Sequence, residues 1–422
     1  MNRYQQIIGK INYGLFLAVV ALLPFPQITL RYACVLWLIS WVLEGRWLTK
    51  PQSLRTNTMA IPFILFGLWY AWKGISGLWS PDHAAWSWQM ERYMTFGFIV
   101  PVGIWGVNQY YNWQTIGKVF VACCVAAVPL YLIWMTLLQT HPEWVPYLHL
   151  QEEWFHHTDW WQFVAENISH FKHRLFLCSV EIIGAVIALQ LWRKRLSILV
   201  PSLVIMLSTI PLTGSRQSFL SVVVLGVLII LFALPQKRRL TYSIGIIVIG
   251  ALVGTAVVKF HPRMQDVHLS DFTEMRTLSY NHDLRYNVWG AALQHPSDYL
   301  LHGLGAGQST RYLVDRYEEV HFDYYAHMRI HAHNQYLEEL MEIGIGGLLL
   351  FILAWISIPL CAKGKGRQTA VLFTTLFMLN MFTDCMFGKF CGIALWAAGM
   401  VFILLQSHTE CEEQTSRNTE TH

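Results

Sequence analysis

Charged residues are scarce in this sequence. Asp, Glu, Lys and Arg make up 13% of its 422 residues, about half of the roughly 25% that is usual in soluble domains. This scarcity excludes an ordinary soluble protein. Hydrophobic residues reach 54%, and apolar runs of about 20 residues, long enough to cross about 30 Å of hydrocarbon, recur along the chain. The sequence therefore predicts an all-α integral membrane protein with a single polytopic membrane domain over residues 1–422.

The sequence also lacks the motifs of several common sites. Its eight cysteines show no CxxC pair and no zinc-type spacing, which argues against a disulfide framework and a structural metal. A P-loop and a dinucleotide-binding fingerprint are both absent, so ATP-driven and hydride-transfer functions lack their machinery. No helix-turn-helix, zinc finger or basic stripe accompanies the net charge of +4, which argues against nucleic acid as a partner. We therefore expect no cofactor and no bound metal.

Twelve apolar runs are predicted to span the membrane. They are centred near residues 17, 37, 67, 101, 128, 183, 204, 226, 249, 351, 377 and 397. Basic residues in short loops mark the cytoplasmic side of a membrane. One alternating set of loops concentrates them, at Arg46, Lys50, Arg55, Arg193, Lys194, Arg195, Lys237, Arg238, Arg239, Lys363, Lys365 and Arg367. The pattern predicts that both termini are cytoplasmic and that residues 77–93, 139–173, 213–216 and 261–340 lie outside.

The external loop at 261–340 is the only segment large enough to form a small subdomain, and we expect it to fold. It contains six arginines, eleven acidic residues and no lysine. Arginine without lysine suits fixed, two-pronged contacts to phosphate or carboxylate. Arg285 begins a predicted helix over residues 285–293, and phosphates favour such N-termini. Pairing of Arg285 with a neighbouring acid such as Asp283 is the alternative.

A glycine-rich segment follows that helix. His295-Pro296 is predicted to end the helix, and Gly303, Gly305 and Gly307 alternate shortly afterwards. Alternating glycines permit tight turns and a close approach of the backbone to a ligand. The segment is interpreted either as a turn or as a phosphate cradle.

The string His331-Ala332-His333-Asn334 is the best candidate for chemistry. Asn334 is a favourable N-cap for a helix that continues into the span beginning near Gly344. His333 would lie at the positive end of that helix, where the dipole disfavours imidazolium, so we expect a neutral ring that can act as a general base. His331 is expected to project in a different direction. A metal site on both histidines is the alternative, although carboxylate and cysteine partners at ligand spacing are missing.

Arg216 lies between two predicted spans, in the string Thr213-Gly214-Ser215-Arg216. A charge so close to hydrocarbon is costly unless it serves a function or extends to the interface. A snorkelling arginine is therefore the alternative to a binding residue. Lys172 and Arg174, at the outer end of another span, could add positive charge to the same site.

Taken in order, these strings resemble the O-antigen ligase and polymerase superfamily of bacterial multi-spanning transferases. The matching segments are Leu78-Trp79-Ser80-Pro81-Asp82, Thr213-Gly214-Ser215-Arg216, Arg285 with its Trp-containing helix and His295-Pro296, Gly303-Leu304-Gly305-Ala306-Gly307, His333-Asn334-x-x-Leu337-Glu338, and Glu342-Ile343-Gly344-Ile345-Gly346. They extend from about residue 78 to 350 and are specific as an ordered set. Two features depart from the family pattern, namely the long His- and Trp-rich loop at 139–173 and the second histidine, His331.

The resemblance implies a GT-C-type fold in the bacterial inner membrane, with a periplasmic active site. It implies that Arg216 and Arg285 bind the pyrophosphate of an undecaprenyl-diphosphate-linked glycan, and that His333 activates the acceptor hydroxyl in a metal-independent, inverting transfer. Diphosphate is a good leaving group once its charge is held, so two arginines can replace a divalent metal. The residues expected to support this site are Lys172, Arg174, His331, Asn334 and Glu338.

The resemblance does not determine the acceptor. A ligase transfers the glycan to lipid A-core, a polymerase transfers it to another lipid-linked repeat unit, and the related protein O-oligosaccharyltransferase uses a Ser, Thr or Tyr side chain. We favour the ligase. A secondary transporter is disfavoured because we find neither inverted repeats nor ionisable residues in mid-span, Asp384 and Lys389 lying near a span end.

Overall fold

Helices account for every regular element in the part of the chain that the structure describes. This computed structural model describes residues 3–51, 57–144, 160, 163–164, 167–168, 172–260 and 284–420. The helices with described bounds are α1 (Arg3–Leu22), α2 (Gln27–Glu44), α3 (Ala60–Ile75), α4 (His83–Phe98), α5 (Val100–Trp105), α6 (Trp113–Thr140), α7 (Arg174–Trp192), α8 (Leu196–Leu207), α9 (Thr209–Thr213), α10 (Arg216–Ala233), α11 (Gln236–Phe260), α12 (Leu284–Ala292), α13 (Ser309–Glu319), α14 (Asp323–His327), α15 (Gln335–Cys361), α16 (Gly364–Met381) and α17 (Phe390–Glu420).

Ten helical segments of the described chain are long and apolar enough to cross a membrane. They are Arg3–Leu22, Gln27–Leu48, Ala60–Leu78, Trp113–Thr140, Arg174–Trp192, Leu196–Thr213, Arg216–Ala233, Gln236–Ala256, Gln335–Cys361 and Phe390–His408. Each contains one of the predicted centres, which confirms the all-α membrane class. The predicted spans near 101 and 377 are not among them, so the count of twelve is not confirmed. Two short helices, α4 and α5, meet near residue 100, and α16 begins with the polar, basic stretch 364–368.

The first of two compact units comprises residues 1–40 and 108–266. Its N-terminal helices are joined by buried polar groups, because Asn12 of α1 donates to Ser40 Oγ of α2 at 2.8 Å and accepts from the Tyr111 hydroxyl at 2.7 Å. Within the same unit α7 packs between α6 and α8. Long-range hydrogen bonds of this kind satisfy polar groups that would be costly in hydrocarbon.

The second unit comprises residues 41–107 and 267–422. In it α15 packs along α3 and α16, and α17 packs along α16. Aromatic rings fill the space between these helices. The Trp396 ring lies 4.7 Å from Phe66 and 4.3 Å from Phe96, and the Trp355 ring lies 6.0 Å from Phe387, measured between centroids. This packing holds α15, the helix that begins directly after the predicted catalytic histidine.

The described part of the predicted 261–340 subdomain has its own hydrophobic core. Helices α12, α13 and α14, the start of α15 and the segments between them contribute the buried residues Val288, Ala291, Ala292, Tyr299, Leu313, Tyr317, Phe322, Tyr325, Ala332, Leu337 and Met341. The helix predicted to start at Arg285 is present as α12, and a 3-10 turn at Pro296–Asp298 follows it. Residues 261–283, including Asp283, lie outside the described residues, as do residues 145–159 of the long 139–173 loop. The subdomain as a whole therefore remains a prediction.

The expectation that the spans lack ionisable residues in mid-span is wrong. Glu181 lies near the middle of the α7 span and is fully buried. Lys73, in the α3 span, is fully buried as well. A charge inside a membrane protein is costly unless it is paired or functional. Lys73 has carboxylate partners, described below, and one of the two sequence arguments against a transporter no longer holds.

Candidate active site

The residues His331 to His333 form a turn directly before α15. His333 has a φ of +46°, in the left-handed region that residues other than glycine seldom adopt. Its backbone N–H donates to Nδ1 of His331 at 3.2 Å, and the two imidazole centroids lie 4.0 Å apart. The prediction that the two rings project in different directions is therefore wrong, because the left-handed backbone brings them side by side.

Asn334 caps α15 as predicted. Its Oδ1 accepts a hydrogen bond from the backbone N–H of Leu337 at 3.1 Å, which satisfies one of the free amides at the helix start. The helix then bends at Gly344, whose φ of +67° and ψ of −176° interrupt the helical backbone. A Cβ at this position would lie 2.4 Å from the Leu301 carbonyl oxygen, so only glycine fits. The bend separates the first turns of α15, which follow the histidines, from the rest of the helix.

The side chains of Arg285 and His333 both lie against the loop between α16 and α17. Nε of Arg285, on the first turn of α12, donates to the carbonyl of Thr383 at 3.1 Å. The next residue is Asp384, whose Oδ1 lies 3.6 Å from Nδ1 of His333. The side chains of His333 and Asp384 are 26% and 12% exposed. The loop therefore connects the predicted phosphate-binding arginine to the predicted base and leaves the imidazole accessible.

Trp289 holds α12 against the histidine turn and against the loop after α16. Its indole Nε1 donates to the carbonyl of Ala332, between the two histidines, at 2.9 Å. Its ring meets Phe382 edge-on, at 5.5 Å between centroids. Trp289 thus links the histidine turn to the loop after α16. From the sequence it was known only as part of the segment that resembles the family.

Asp384 is the site residue that sequence reasoning missed. Its carboxylate is near the imidazole of His333, and its Oδ1 also accepts from the backbone N–H of Cys385 at 2.8 Å. In the sequence it appeared as an acid near a span end. The sequence signal that could have identified it is a carboxylate in the short break between two apolar runs, close to the membrane.

His331, His333 and Asp384 could hold a metal ion. Each offers one ligand atom, and the three atoms all lie within 4.8 Å of one another. The sequence argument against a metal site, that no carboxylate partner was available to the two histidines, is wrong on this point, because the fold supplies Asp384 from a distant segment. The absence of a metal remains a prediction.

A buried ionic cluster, which we call the Lys73 network, lies on the first turns of α15. Nζ of Lys73 is 3.0 Å from the carboxylate of Glu339 and 2.6 Å from that of Glu342. Trp69 Nε1 donates to Glu339 at 2.9 Å, and Gln89 donates to Glu342 at 2.7 Å. Both carboxylates are buried in the second unit, where charges persist only when paired and hydrogen-bonded. Sequence reasoning did not identify this network.

The glycine-rich segment is a structural turn held by the Lys73 network. The backbone N–H of Gly307 and the hydroxyl of Ser309 donate to Oε1 of Glu342 at 3.1 and 2.9 Å. The amide of Gly305 donates to the Glu342 carbonyl at 2.9 Å. A Cβ at Gly303 would lie 2.4 Å from that same carbonyl oxygen. Because these amides are already bonded to α15, the turn interpretation is favoured over a phosphate cradle.

Glu338 is also buried, on the same turn of α15 as the Lys73 network. Its carboxylate lies beside the thiol of Cys385, the residue after Asp384. Glu338 therefore contacts the segment that carries Asp384, a position consistent with the supporting role expected for it.

Arg216 belongs to the first unit. It is exposed and occupies the first position of α10, after a connection of only Gly214 and Ser215. Ser215 caps the helix, its Oγ accepting from the backbone N–H of Ser218, and Gly214 adopts a φ of +58° that permits the tight turn. A cationic side chain thus lies at a helix N-terminus, where free amides also favour an anion.

Lys172 lies just before α7, at the end of the span where the sequence placed it. It is 5% exposed, and its Nζ donates to the carbonyls of Leu23 and Phe25, the latter at 3.1 Å. These bonds tie the start of α7 to the end of α1 inside the first unit, so the ammonium is a structural anchor. Arg174 is half-buried at the first position of α7.

The family comparison covers part of the chain that forms this region. Residues 201–352 match the family model described as O-antigen ligase, a stretch that begins in α8 and ends in α15. A search of curated proteins found no match. Members of the matched family are glycosyltransferase-like enzymes that act on lipid-linked glycans in membranes. The chain is therefore an all-helical membrane protein that carries, in residues 201–352, a domain of the O-antigen ligase-like superfamily.

Proposed function

We propose that this protein is an O-antigen ligase. It transfers a glycan from undecaprenyl diphosphate to a hydroxyl of lipid A-core oligosaccharide, on the periplasmic face of the bacterial inner membrane. The observation that carries this proposal is the convergence of Arg285, His333 and Asp384 on one loop. A phosphate-binding cation, an accessible imidazole and a carboxylate beside that imidazole are the groups that such a transfer requires.

The step is a displacement at the anomeric carbon of the donor sugar. The acceptor oxygen attacks that carbon and forms the new glycosidic bond, while the bond to the diphosphate oxygen breaks and its electron pair leaves with undecaprenyl diphosphate. His333 takes the proton of the acceptor hydroxyl. Attack opposite the leaving group inverts the anomeric configuration. No nucleotide is consumed, because the energy is already stored in the lipid-linked donor.

Arg285 stabilises the negative charge that develops on the leaving diphosphate. Its guanidinium is anchored through Nε to the Thr383 carbonyl at 3.1 Å, which limits the freedom of the side chain. A preorganised donor of this kind stabilises charge more effectively than one that must be ordered during the reaction. We assign the same diphosphate-binding role to Arg216 from the sequence resemblance.

Asp384 orients His333 and stabilises the imidazolium that forms when the proton is taken. A carboxylate near one ring nitrogen leaves the opposite nitrogen to act on the acceptor. Asn334 supports the site by fixing the helix start, Glu338 by contacting the Asp384 segment, and His331 by accepting the backbone N–H of His333.

We expect transfer to be metal-independent. Purified protein supplied with lipid-linked donor and lipid A-core acceptor should retain its activity in excess EDTA, because arginine takes over the charge stabilisation that a divalent ion provides elsewhere. The measurement is the initial rate of glycan transfer with and without chelator. Loss of activity that added Mn²⁺ or Zn²⁺ restores would instead assign His331, His333 and Asp384 to a catalytic metal.

The ligase proposal is tested in a deletion strain by lipopolysaccharide gel electrophoresis. We expect glycan of normal length to accumulate on its lipid carrier, with no glycan on lipid A-core. Wild-type protein should restore the ladder, whereas Arg285→Lys at a matched protein level should not, because an ammonium cannot supply the two-pronged contact of a guanidinium. A strain that still ligates glycan but only as single repeat units would identify a polymerase. Full restoration by Arg285→Lys would exclude the diphosphate role of Arg285.

A further inference from the structure

The second unit contains a groove that the proposed chemistry does not use. Its volume is about 490 Å³, within the range of about 300–1,000 Å³ that is usual for small-molecule sites. We call it the Trp79 groove and define it by the lining residues Trp79, Asp298, Gln308, Arg311, Tyr312 and Asp315. It is formed by the segment after α3 and the segment from the 3-10 turn at Pro296–Asp298 through α13.

The two walls of the Trp79 groove are fixed to each other. Gln308, which is 3% exposed, donates through Nε2 to Ser80 Oγ at 3.0 Å and to the Asp82 carbonyl at 3.1 Å. The backbone N–H of Ala306 donates to Ser76 Oγ at 2.9 Å. A Cβ at Gly305 would lie 2.7 Å from that of Ser80, so glycine is needed for this close approach. The groove is therefore preformed, which reduces the entropy cost of binding.

The lining combines aromatic rings with both donors and acceptors. The Tyr312 hydroxyl donates to Asp298 Oδ2 at 3.0 Å. Burial, and after it the bond to Asp298, raises the pKa of Tyr312 above its ordinary value, so the phenol stays protonated at neutral pH and keeps its bond to Asp298. The Trp79 indole Nε1 is buried and has no hydrogen-bond partner among the described residues. A buried donor without a partner is costly unless a ligand or water satisfies it.

The charges of the groove disfavour a diphosphate. Asp298 and Asp315 are both exposed at its surface, against one guanidinium, that of Arg311, which also lies 4.0 Å from Asp82. Like charges repel an anion, whereas sugar hydroxyls both donate to carboxylates and accept from a guanidinium. The apolar faces of sugar rings can in addition pack on the two aromatic side chains.

We propose that the Trp79 groove is an oligosaccharide-binding subsite of this enzyme. The inference rests on the proposed glycan transfer and adds a place where a sugar chain is held apart from the diphosphate. The sugar can come from the acceptor core or from the glycan of the donor, and the two sources are distinguished by steady-state kinetics.

The kinetic test uses Asp315→Ala and Trp79→Ala. Asp315 is exposed, so its removal should not disturb folding. Each variant should raise KM for one glycan about tenfold, Asp315→Ala through the loss of roughly one hydrogen bond to a charged group and Trp79→Ala through the loss of ring packing, with kcat unchanged at saturation. A rise with lipid A-core varied at saturating donor identifies the acceptor, and a rise with the donor varied identifies the donor glycan. Trp88→Ala, which removes an exposed tryptophan of the same unit outside the groove, is the matched control.

Direct binding separates failure of this inference from failure of the proposed function. Purified wild-type protein is titrated by calorimetry with lipid-free core oligosaccharide and with the delipidated repeat glycan, so no transfer is required. One of the two should bind wild type and bind Asp315→Ala about tenfold more weakly. No binding of either saccharide to the wild type, or KM values unchanged in both variants, would overturn the subsite. A fall in kcat without a change in KM would overturn it as well.

Discussion

Replacing His333 with alanine is expected to reduce glycan transfer by about 10²–10⁴-fold, the usual contribution of a positioned general base. The physical reason is that His333 is the accessible imidazole of the site, 3.6 Å from the Asp384 carboxylate. Donor affinity should change little, because the diphosphate contacts belong to the arginines. Turnover and donor affinity are measured side by side on protein in detergent or nanodiscs.

Two further variants serve as controls for His333→Ala. His331→Ala should cost about tenfold, since it removes a partner of the His333 backbone and leaves the proposed base in place. Asp384→Asn should cost about 10–100-fold in kcat, because the amide keeps the shape of the carboxylate but cannot stabilise imidazolium. If His331→Ala is inactive and His333→Ala retains activity, then the base is the other histidine.

The largest effect on stability is expected from Lys73→Met. The substitution leaves the buried carboxylates of Glu339 and Glu342 without their shared cation, and breaking a buried ion pair from one side costs about 3–5 kcal/mol. We expect a lower melting temperature and little accumulation of folded protein. Thermal unfolding in detergent, followed by tryptophan fluorescence, measures the change.

Two further variants serve as controls for the Lys73→Met measurement. Lys118→Met removes an exposed lysine in another helix and should leave the melting temperature near that of the wild type. Combining Lys73→Met with Glu342→Gln should recover part of the loss, because it neutralises one of the two uncompensated carboxylates. A Lys73→Met protein that melts like the wild type would show that the ammonium contributes no net stability.

Features with local causes could be predicted from the sequence. An apolar run predicts a span because length and hydropathy suffice, and ten predicted centres fall within membrane-length helices. The start of α12 near Arg285 and the Asn334 cap follow from residues within one or two turns of each position. Two predicted spans are not among the membrane-length helices. Near residue 101 the chain changes from α4 to the short α5, and the helix around residue 377 begins with charged residues.

The composition of the site depends on contacts between distant segments. Asp384 lies 51 positions after His333 in the sequence, and Lys73 is 269 positions from Glu342. No local pattern links such residues, because their pairing follows from the packing of α15 against α3 and from the loop between α16 and α17. The side-by-side placement of His331 and His333 likewise depends on one left-handed residue that the surrounding packing holds.

The sequence by itself determined that this protein is helical and lies in a membrane, that a helix starts near Arg285 and that Asn334 caps α15, since hydrophobic length and capping act over a few residues. Only the tertiary structure decided which carboxylate stands beside His333, which lysine neutralises the acids of α15 and how the segment at Trp79 meets α13 to form a groove. These pairings join polar groups from distant segments, and a polar group inside a fold takes its partner from whatever the fold brings within hydrogen-bonding distance.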